Sequence, residues 1–421
     1  MCFGLGLVVV KINIPYGQAS MGLELGEGTP VEIVSPRKTP VDECSIARSL
    51  SQPTAFTDFG SFVANKRKIL VVINDHTRPT PTSTVLKKLD LKGKEVTTIV
   101  ATGAHRSPYP EELLRLLGAA VPPYGGKVVV HNSRDSASLK SVGQTSRGTK
   151  LFLNPHLFAA DGIVVVGSVE PHYFAGFTGG RKFLLPALAG LESIMINHSL
   201  ALDKRSRILS LDGNPVHEDF MEALDIFDRY DDIFSIQLVL NSEQQVSFAS
   251  SGHIIQSFTE CIERAKDIYV TPVETKADIV ISVAKPPLDL DLYQSQKAID
   301  NAKLALNDGG ILILVSRCSD GIGDRGFYDV LASAEDISKV TLEGHRFGYH
   351  KAVKIAEVLK RASVFAVTDL PPEVLKAISI MPYSNLQSAI EDAMKLKGKE
   401  SKILIVRDGG VTVPLPKSSS S

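Results

Sequence analysis

The chain has 421 residues, 43% of them hydrophobic and 22% charged, a globular mix long enough for two or three domains with a sizeable core. Its formal net charge is −1, which leaves no electrostatic footprint for nucleic acid or an anionic membrane, so neither is expected as a partner. The cysteines Cys2, Cys44, Cys261 and Cys318 form no C-x-x-C pair, which excludes a zinc knuckle and a redox dithiol and fits reduced thiols in a cytoplasmic protein.

The start, MCFGLGLVVVKINIPYG, lacks a basic n-region and a small-residue cleavage site and reads as a first strand. No uninterrupted apolar run is long enough to span a bilayer. Residues 11–16 and 31–34 are expected strands of an N-terminal β layer. Residues 68–73 (KILVVI) form a further strand, rich in branched side chains. It stops at Asn74-Asp75-His76-Thr77-Arg78-Pro79-Thr80-Pro81, a loop stiffened by its prolines, after which Thr82 or Ser83 caps a helix through Leu89. The strand 96–101 ends in Thr102-Gly103-Ala104-His105-Arg106, and a helix runs from Pro110 to a stop at Gly118. Residues 127–131 and 150–153 are further strands.

The stretch 163–200 carries the densest chemistry. Its apolar run 163–166 has the composition of a buried parallel strand. Beyond it come His172, the glycines Gly176, Gly179, Gly180 and Gly190, the basic pair Arg181 and Lys182, and a helix ending near His198. A helix near 217–227, a hairpin of 234–240 with 245–249, and a helix 254–268 follow.

After Thr271 strands and helices alternate. Strands fall at 278–283, 311–315, 363–368 and 402–406, the last of these expected as the final one. Helices fall at 294–306, ended by Gly309 and Gly310, and at 327–333, 350–361, 373–378 and 385–396. The fold class is therefore α/β, with two domains of mostly parallel sheet flanked by helices. The expected division is an N-terminal cofactor-binding domain, 1–270, rejoined by 402–421, and a C-terminal Rossmann-like domain, 271–401.

Three successive strand ends carry polar clusters: Asp75 with Arg78, His105 with Arg106, and the 167–182 stretch. Ligands bind beyond the carboxyl ends of parallel strands, where such clusters meet. Three readings stand for His105, His172 and His198. Each is a hydrogen-bonded structural residue, or the set is a zinc hydrolase site lacking H-x-H and H-E-x-x-H, or one imidazole binds metal while two exchange protons. Lys182 is either a point charge for a phosphate or a nucleophile that anchors a group covalently. Arg78, Arg106 and Arg181 are either surface ion-pair partners or, for Arg78 in its stiff loop, a carboxylate or phosphate clamp. Gln294 and Lys297 share a helix face, either as ordinary amphipathic surface or as substrate contacts. Gly321-Ile322-Gly323-Asp324-Arg325-Gly326 matches the dinucleotide fingerprint G-x-G-x-x-G, with Glu343 as candidate ribose acid, yet no small-residue helix follows it.

Taken together, INIPYG (12–17), NDHTRPTP (74–81), ATGAHR (101–106), EPHYFAGFTGGRK (170–182), INHS (196–199), YQSQK (293–297) and SDGIG (319–323) resemble the nickel-dependent lactate racemase family, in order and over nearly the whole chain. The resemblance implies two α/β domains with the active site in the cleft between them. It implies a nickel-pincer nucleotide, pyridinium-3-thioamide-5-thiocarboxylic acid mononucleotide, covalently linked to Lys182 and supplied by cofactor-biosynthesis enzymes. His198 matches the nickel ligand, and His105 and His172 match the two proton-transfer bases. Asp75, Thr77, Arg78, Gly179 and Gly180 match cofactor contacts, and Arg78, Tyr293, Gln294 and Lys297 match substrate contacts. The implied activity is a 2-hydroxy acid racemase or epimerase working by proton-coupled hydride transfer through a 2-keto acid. The chain has no tryptophan, whereas lactate-specific members use one near the substrate, in a neighbourhood corresponding to HRFGYH (345–350). A larger or more polar 2-hydroxy acid, even a sugar acid, follows from that departure. The rival readings are an NAD(P)-dependent 2-hydroxyacid dehydrogenase built on the Gly321 loop and a non-catalytic protein that binds a carboxylate or nucleotide.

Overall fold

The computed structural model describes residues 9–118, 123–333 and 348–417. It divides into two compact units: Arg37–Ile268, and the described parts of Met1–Pro36 together with Tyr269–Ser421. The chain opens with β1 (Val9–Tyr16), β2 (Ala19–Gly26) and β3 (Val31–Val34). The inserted unit contains β4 (Lys68–Asn74), β5 (Glu95–Ala101), β6 (Lys127–Val130), β7 (Lys140–Gln144), β8 (Lys150–Leu153), β9 (Gly162–Ser168), β10 (Pro171–His172), β11 (Gly176–Phe177), β12 (Ile233–Leu240) and β13 (Val246–Gly252). The chain then supplies β14 (Val270–Val273), β15 (Ala277–Val283), β16 (Leu306–Val315), β17 (Ser363–Val367), β18 (Met381–Tyr383), β19 (Ile403–Val406) and β20 (Val413–Pro416).

In the unit Arg37–Ile268 the main sheet has the order β13-β12-β9-β4-β5-β6, parallel throughout except for the β12–β13 hairpin. Runs such as Ile69 to Ile73 and Ile163 to Val166 are buried along their whole length because helices cover both faces, the condition under which a strand reads as continuous apolar sequence. From β4 the chain steps outward through β5 and β6, then returns to lay β9 on the other side of β4. This reversal puts the carboxyl ends of β9, β4 and β5 side by side, the usual place for a ligand in an open α/β sheet.

The other unit has a parallel sheet of order β18-β17-β16-β15-β19-β3. Ile279, Ile281 and Val283 enter one core and Val280 the core on the opposite face, as the two-residue period of a strand requires. Here the structure departs from the expected domain division. β3 does not join an N-terminal layer of the first domain; it pairs in parallel with β19, and the ladder is extended by Ile403 N–H donating to Pro30 O and Arg407 N–H to Val34 O. Nor does the C-terminal end rejoin the first domain. β19 sits inside this sheet, and a strand beyond it, β20, pairs with β14. Hydrogen bonds between distant segments decided both, and a short apolar strand carries no local mark of its partner.

The helix expected over 294–306 is Leu292–Ala302, and β16 already begins at Leu306. Gly309 and Gly310 lie within that strand, where the β15–β16 register shifts; a Cβ on Gly310 would stand 2.8 Å from Asn307 O and 2.9 Å from Asp278 O. Among the described residues no helix is long and apolar enough to cross a membrane.

Candidate active site

The loop after β4 folds around its own carboxylate. Asp75 Oδ1 accepts from Thr77 N–H at 3.0 Å and from Thr77 Oγ1 at 2.7 Å, an Asx turn that fixes the loop. Asp75 Oδ2 meets His105 Nδ1 at 2.7 Å, so the β4 and β5 loops are joined through one buried charge pair. Burial raises the Asp75 pKa, but the charge and hydrogen bond of His105, then Arg78 and Thr77, outweigh it and hold the carboxyl below its ordinary range. Arg78, at the end of the same turn, lies 3.7 Å from Glu170 of the β9 loop. Its Nη1 is buried with no hydrogen-bond partner among the described residues, an orphaned donor of the kind a bound anion would satisfy.

Thr80 bonds Ser168 at 2.8 Å and Asn74 at 2.7 Å, tying the β4 loop to the end of β9. From there β10 and β11 make a two-residue ladder that pairs His172 with Gly176. At its turn the Phe174 ring is buried, and its backbone carbonyl is held by Asn214 Nδ2 at 2.8 Å. Three predicted residues gather on that ring. The His172 ring lies 4.6 Å from it, the His198 ring 5.0 Å from it, and Lys182 Nζ 5.8 Å from its centroid.

Each of these groups is oriented by its neighbours. Lys182 rides a short 3-10 turn, Gly180–Phe183, and is buried. Gly179 and Gly180 have φ of +82° and +51°, and a Cβ on them would stand 2.7 Å from Gln237 Oε1 and 2.7 Å from Phe258 Cγ respectively. Gly180 N–H donates to Gln237 Oε1 at 3.0 Å. These two glycines therefore shape and pack the turn that presents Lys182. His198 occupies the last turn of the helix Leu191–Ser199, where Nδ1 lies 3.1 Å from Asn197 Oδ1. Because Asn197 spends its amide N–H on Asp219 at 2.8 Å, its oxygen faces the imidazole and puts the His198 proton on Nδ1, leaving Nε2 as the donor atom for a metal. The His172 ring has the opposite polarity, since its Nδ1 accepts Ala175 N–H at 3.3 Å.

Arg106 and Arg181, read as surface ion-pair partners, are held in different ways. Arg106 forms a two-pronged pair with Glu112, at 2.7 and 2.8 Å, and stacks on Tyr109. Arg181 is no surface ion-pair partner; it is fully buried and meets no carboxylate among the described residues. It donates to Ala175 O at 2.8 Å, Phe177 O at 3.0 Å and His217 Nδ1 at 3.1 Å, and its guanidinium stacks 4.4 Å from the Phe258 ring. Burial pushes its pKa down to about 9, and burial with the Arg181 charge pushes His217 down to about 3, so His217 is a neutral acceptor.

In the other unit Tyr293, Gln294 and Lys297 lie in the first turns of the helix Leu292–Ala302, all of whose residues are buried. A polar helix buried on every side conflicts with its own composition, and such conflicts concentrate at functional sites. Both side-chain amide atoms of Gln296 are buried without a hydrogen-bond partner among the described residues. Lys351 Nζ stands 3.7 Å over the Tyr293 ring and donates to the Tyr293 carbonyl. The G-x-G-x-x-G stretch is consumed by this helix. Gly321 O and Ile322 O accept from Leu292 and Tyr293 N–H, and a Cβ on Gly323 would stand 2.8 Å from Asp291 and Tyr293 side-chain carbons. Gly323 serves that packing, and Asp291 caps the next N–H of the helix. Glu343 and the first half of the HRFGYH stretch, His345 to Phe347, lie outside the described residues.

Two family models cover the chain: the lactate racemase N-terminal domain matches residues 16–208 and the lactate racemase C-terminal domain residues 273–414. The chain belongs to the lactate racemase family. It is a racemase, and so an isomerase. The lactate racemase of Thermoanaerobacterium thermosaccharolyticum is 30% identical over 95% of this chain and 98% of its own length, and that of Lactiplantibacillus plantarum is 28% identical over 96% and 100%. The solved structure of the T. thermosaccharolyticum lactate racemase apoprotein has a TM-score of 0.86 at 28% identity, covering 96% of this chain and 100% of that one. A Thermotoga maritima protein, 20% identical with a TM-score of 0.73, covering 90% of this chain and 99% of its own, shares the fold.

Several residues that shape this candidate site escaped the sequence reading. Glu170 and Phe174 stand inside a quoted motif, and Asn197 directly precedes His198, so adjacency was the available signal. Lys351 directly follows the HRFGYH stretch, whereas Asp219 is far from any motif in sequence and only tertiary packing identifies it. Among the described residues no three His, Cys, Asp or Glu side chains come together as a metal cage.

Proposed function

We propose that this racemase inverts C2 of a 2-hydroxy acid through the 2-keto acid, with a nickel-pincer nucleotide joined to Lys182 and its nickel completed by His198. The observation that carries this reading is the grouping of the Lys182 amine, the His198 imidazole and the His172 imidazole on one buried phenyl ring. A lysine that served only as a point charge for phosphate would not require an oriented imidazole beside it. When bound, the group supplies an acceptor that takes the C2 hydride and returns it without leaving the protein.

The remaining work belongs to side chains. His105 accepts the hydroxyl proton of one enantiomer and His172 that of the other, and after inversion the opposite imidazole, as its conjugate acid, protonates the carbonyl oxygen. The unsatisfied Arg78 Nη1 binds an anionic oxygen of cofactor or substrate, and Thr77 holds the loop that presents it. Tyr293, Gln294 and Lys297 bind substrate, with Lys297 as cation for its carboxylate. The absence of tryptophan favours a substrate larger or more polar than lactate. Loading requires the cofactor-biosynthesis enzymes, and the cytoplasm, where Cys44, Cys261 and Cys318 stay reduced, is the proposed compartment.

The test is intact-mass spectrometry and nickel analysis of the chain produced together with those enzymes, followed by assay against a panel of chiral 2-hydroxy acids. An adduct on Lys182, nickel in equal amount and racemisation of one panel member are expected. Unmodified protein under those conditions, or turnover of soluble NAD(P), would overturn the reading.

A further inference from the structure

The resemblance makes Asp75 a cofactor contact, but its hydrogen-bonding capacity is largely committed to the protein. An ionised carboxylate has about four acceptor positions. On Asp75 two are taken by Thr77 and a third by His105, all within 3.0 Å. The carboxylate is buried and stays charged, so it can only accept, and the atom facing it on His105 is Nδ1. An acceptor on Nδ1 forces the proton there and leaves the lone pair on Nε2. His172 is built the other way: a backbone N–H points at its Nδ1, which must carry the lone pair, and the proton sits on Nε2.

We propose that Asp75 is a positioning residue that makes His105 a base, by holding it in the Nδ1–H tautomer and compensating the imidazolium formed when Nε2 takes a proton, while the Ala175 amide holds His172 in the opposite tautomer. The proposal rests on the reading of His105 and His172 as the proton-transfer pair. The proton bookkeeping closes on the named atoms. A substrate O–H bond breaks, its electron pair remains on oxygen, and the proton forms the Nε2–H bond of His105, whose new positive charge is shared with Asp75. His172 must release the Ala175 N–H, or turn its ring, before it takes the same role for the other enantiomer. The two directions are thus unequal in their individual kcat and KM. Because enantiomers are equal in energy, kcat/KM must remain the same in both.

The test begins on the cofactor-free chain, so that it does not depend on the nickel chemistry. Long-range ¹H–¹⁵N correlation spectra of histidine-labelled protein, assigned with His105→Gln and His172→Gln, report each tautomer directly. Wild type is expected to show His105 as Nδ1–H and His172 as Nε2–H. Asp75→Asn, whose amide can present N–H to Nδ1, is expected to move His105 to Nε2–H and leave His172 unchanged. Thr77→Val, which removes one bond from the carboxylate, is expected to mix the His105 tautomers and guards against a folding failure of Asp75→Asn. In loaded enzyme, Asp75→Asn should retain the Lys182 adduct while kcat falls about 10²- to 10⁴-fold with a smaller change in KM. An Nε2–H tautomer for His105 in wild type, or the same tautomer in wild type and Asp75→Asn, would overturn the proposal. So would loss of the adduct in Asp75→Asn with the His105 tautomer unmoved, which would return Asp75 to the cofactor. Loaded wild type that racemises nothing while the tautomers behave as stated would sink the functional reading instead.

Discussion

Acid should loosen the clasp that holds Lys182, and His217 is where it acts. Arg181, the residue before Lys182, donates to His217 Nδ1 at 3.1 Å and to the carbonyls of Ala175 and Phe177. Protonating His217 would destroy that acceptor and place a second cation against a buried guanidinium. Burial, and then the Arg181 charge, lower His217 from 6.5 to about 3 in the folded chain. The unfolded chain therefore takes up the proton first, and stability that is complete above about 6.5 declines as pH falls toward about 3. At about 1.4 kcal/mol per pH unit, the step from about pH 7 to about pH 5 removes about 2 kcal/mol through this group alone. His76, His131, His156 and His253 are also lowered by burial, so the wild-type slope contains their share. His217→Gln separates it, since a glutamine oxygen still accepts from Arg181 but does not titrate. Urea unfolding followed by circular dichroism, on the transition of the unit Arg37–Ile268, should show a pH 7-to-5 loss smaller by about 2 kcal/mol in the variant than in wild type. Identical slopes in the two proteins would refute the account of Arg181 as a clasp relying on a neutral imidazole.

Three further outcomes follow from the site. Gly180→Ala puts a Cβ 2.7 Å from Phe258 Cγ at a φ of +51°, and should cost about 2–5 kcal/mol, read as a lower melting temperature and weaker loading of Lys182. His198→Ala should leave the mass adduct on Lys182 but lose nickel, measured by metal analysis of the same sample; retained nickel would mean that another residue completes its coordination. Arg78→Met removes the unsatisfied Nη1 at nearly constant volume, and should raise KM roughly 10- to 100-fold, the worth of about one charged hydrogen bond, with a lower melting temperature because buried Glu170 and Asp75 lose its charge.

Much of the candidate site was legible because its polar residues are written at the ends of strands. KILVVI and IVVV are branched runs that only a doubly covered parallel strand can bury, and the polar residues that interrupt them mark the carboxyl edge where loops gather. His105, His172, Lys182 and His198 could be named from that logic and from the family resemblance. Arg106 and Arg181 show the limit. In sequence both are basic residues beside candidate groups, yet one is neutralised by Glu112 a few residues on and the other is sunk among carbonyls and rings. A guanidinium that binds ligand and one that staples a loop have the same local sequence; the difference lies in which acceptors surround it.

Local composition by itself determined the elements, their alternation and the loops that carry imidazole and amine, because strand and helix periodicity and turn chemistry act over a few residues. Tertiary structure alone decided that β3 lies beside β19 rather than with the segment that follows it, that the Gly321 loop seats a helix start, and that Asp75 faces His105. Each of these is a pairing between residues far apart in the chain, made by hydrogen bonds and burial whose partners no short window contains. The sequence could place the candidate imidazoles and amine in loops beyond the carboxyl edge of a sheet, but which nitrogen of each imidazole carries the proton depends on neighbours that only folding brings within reach.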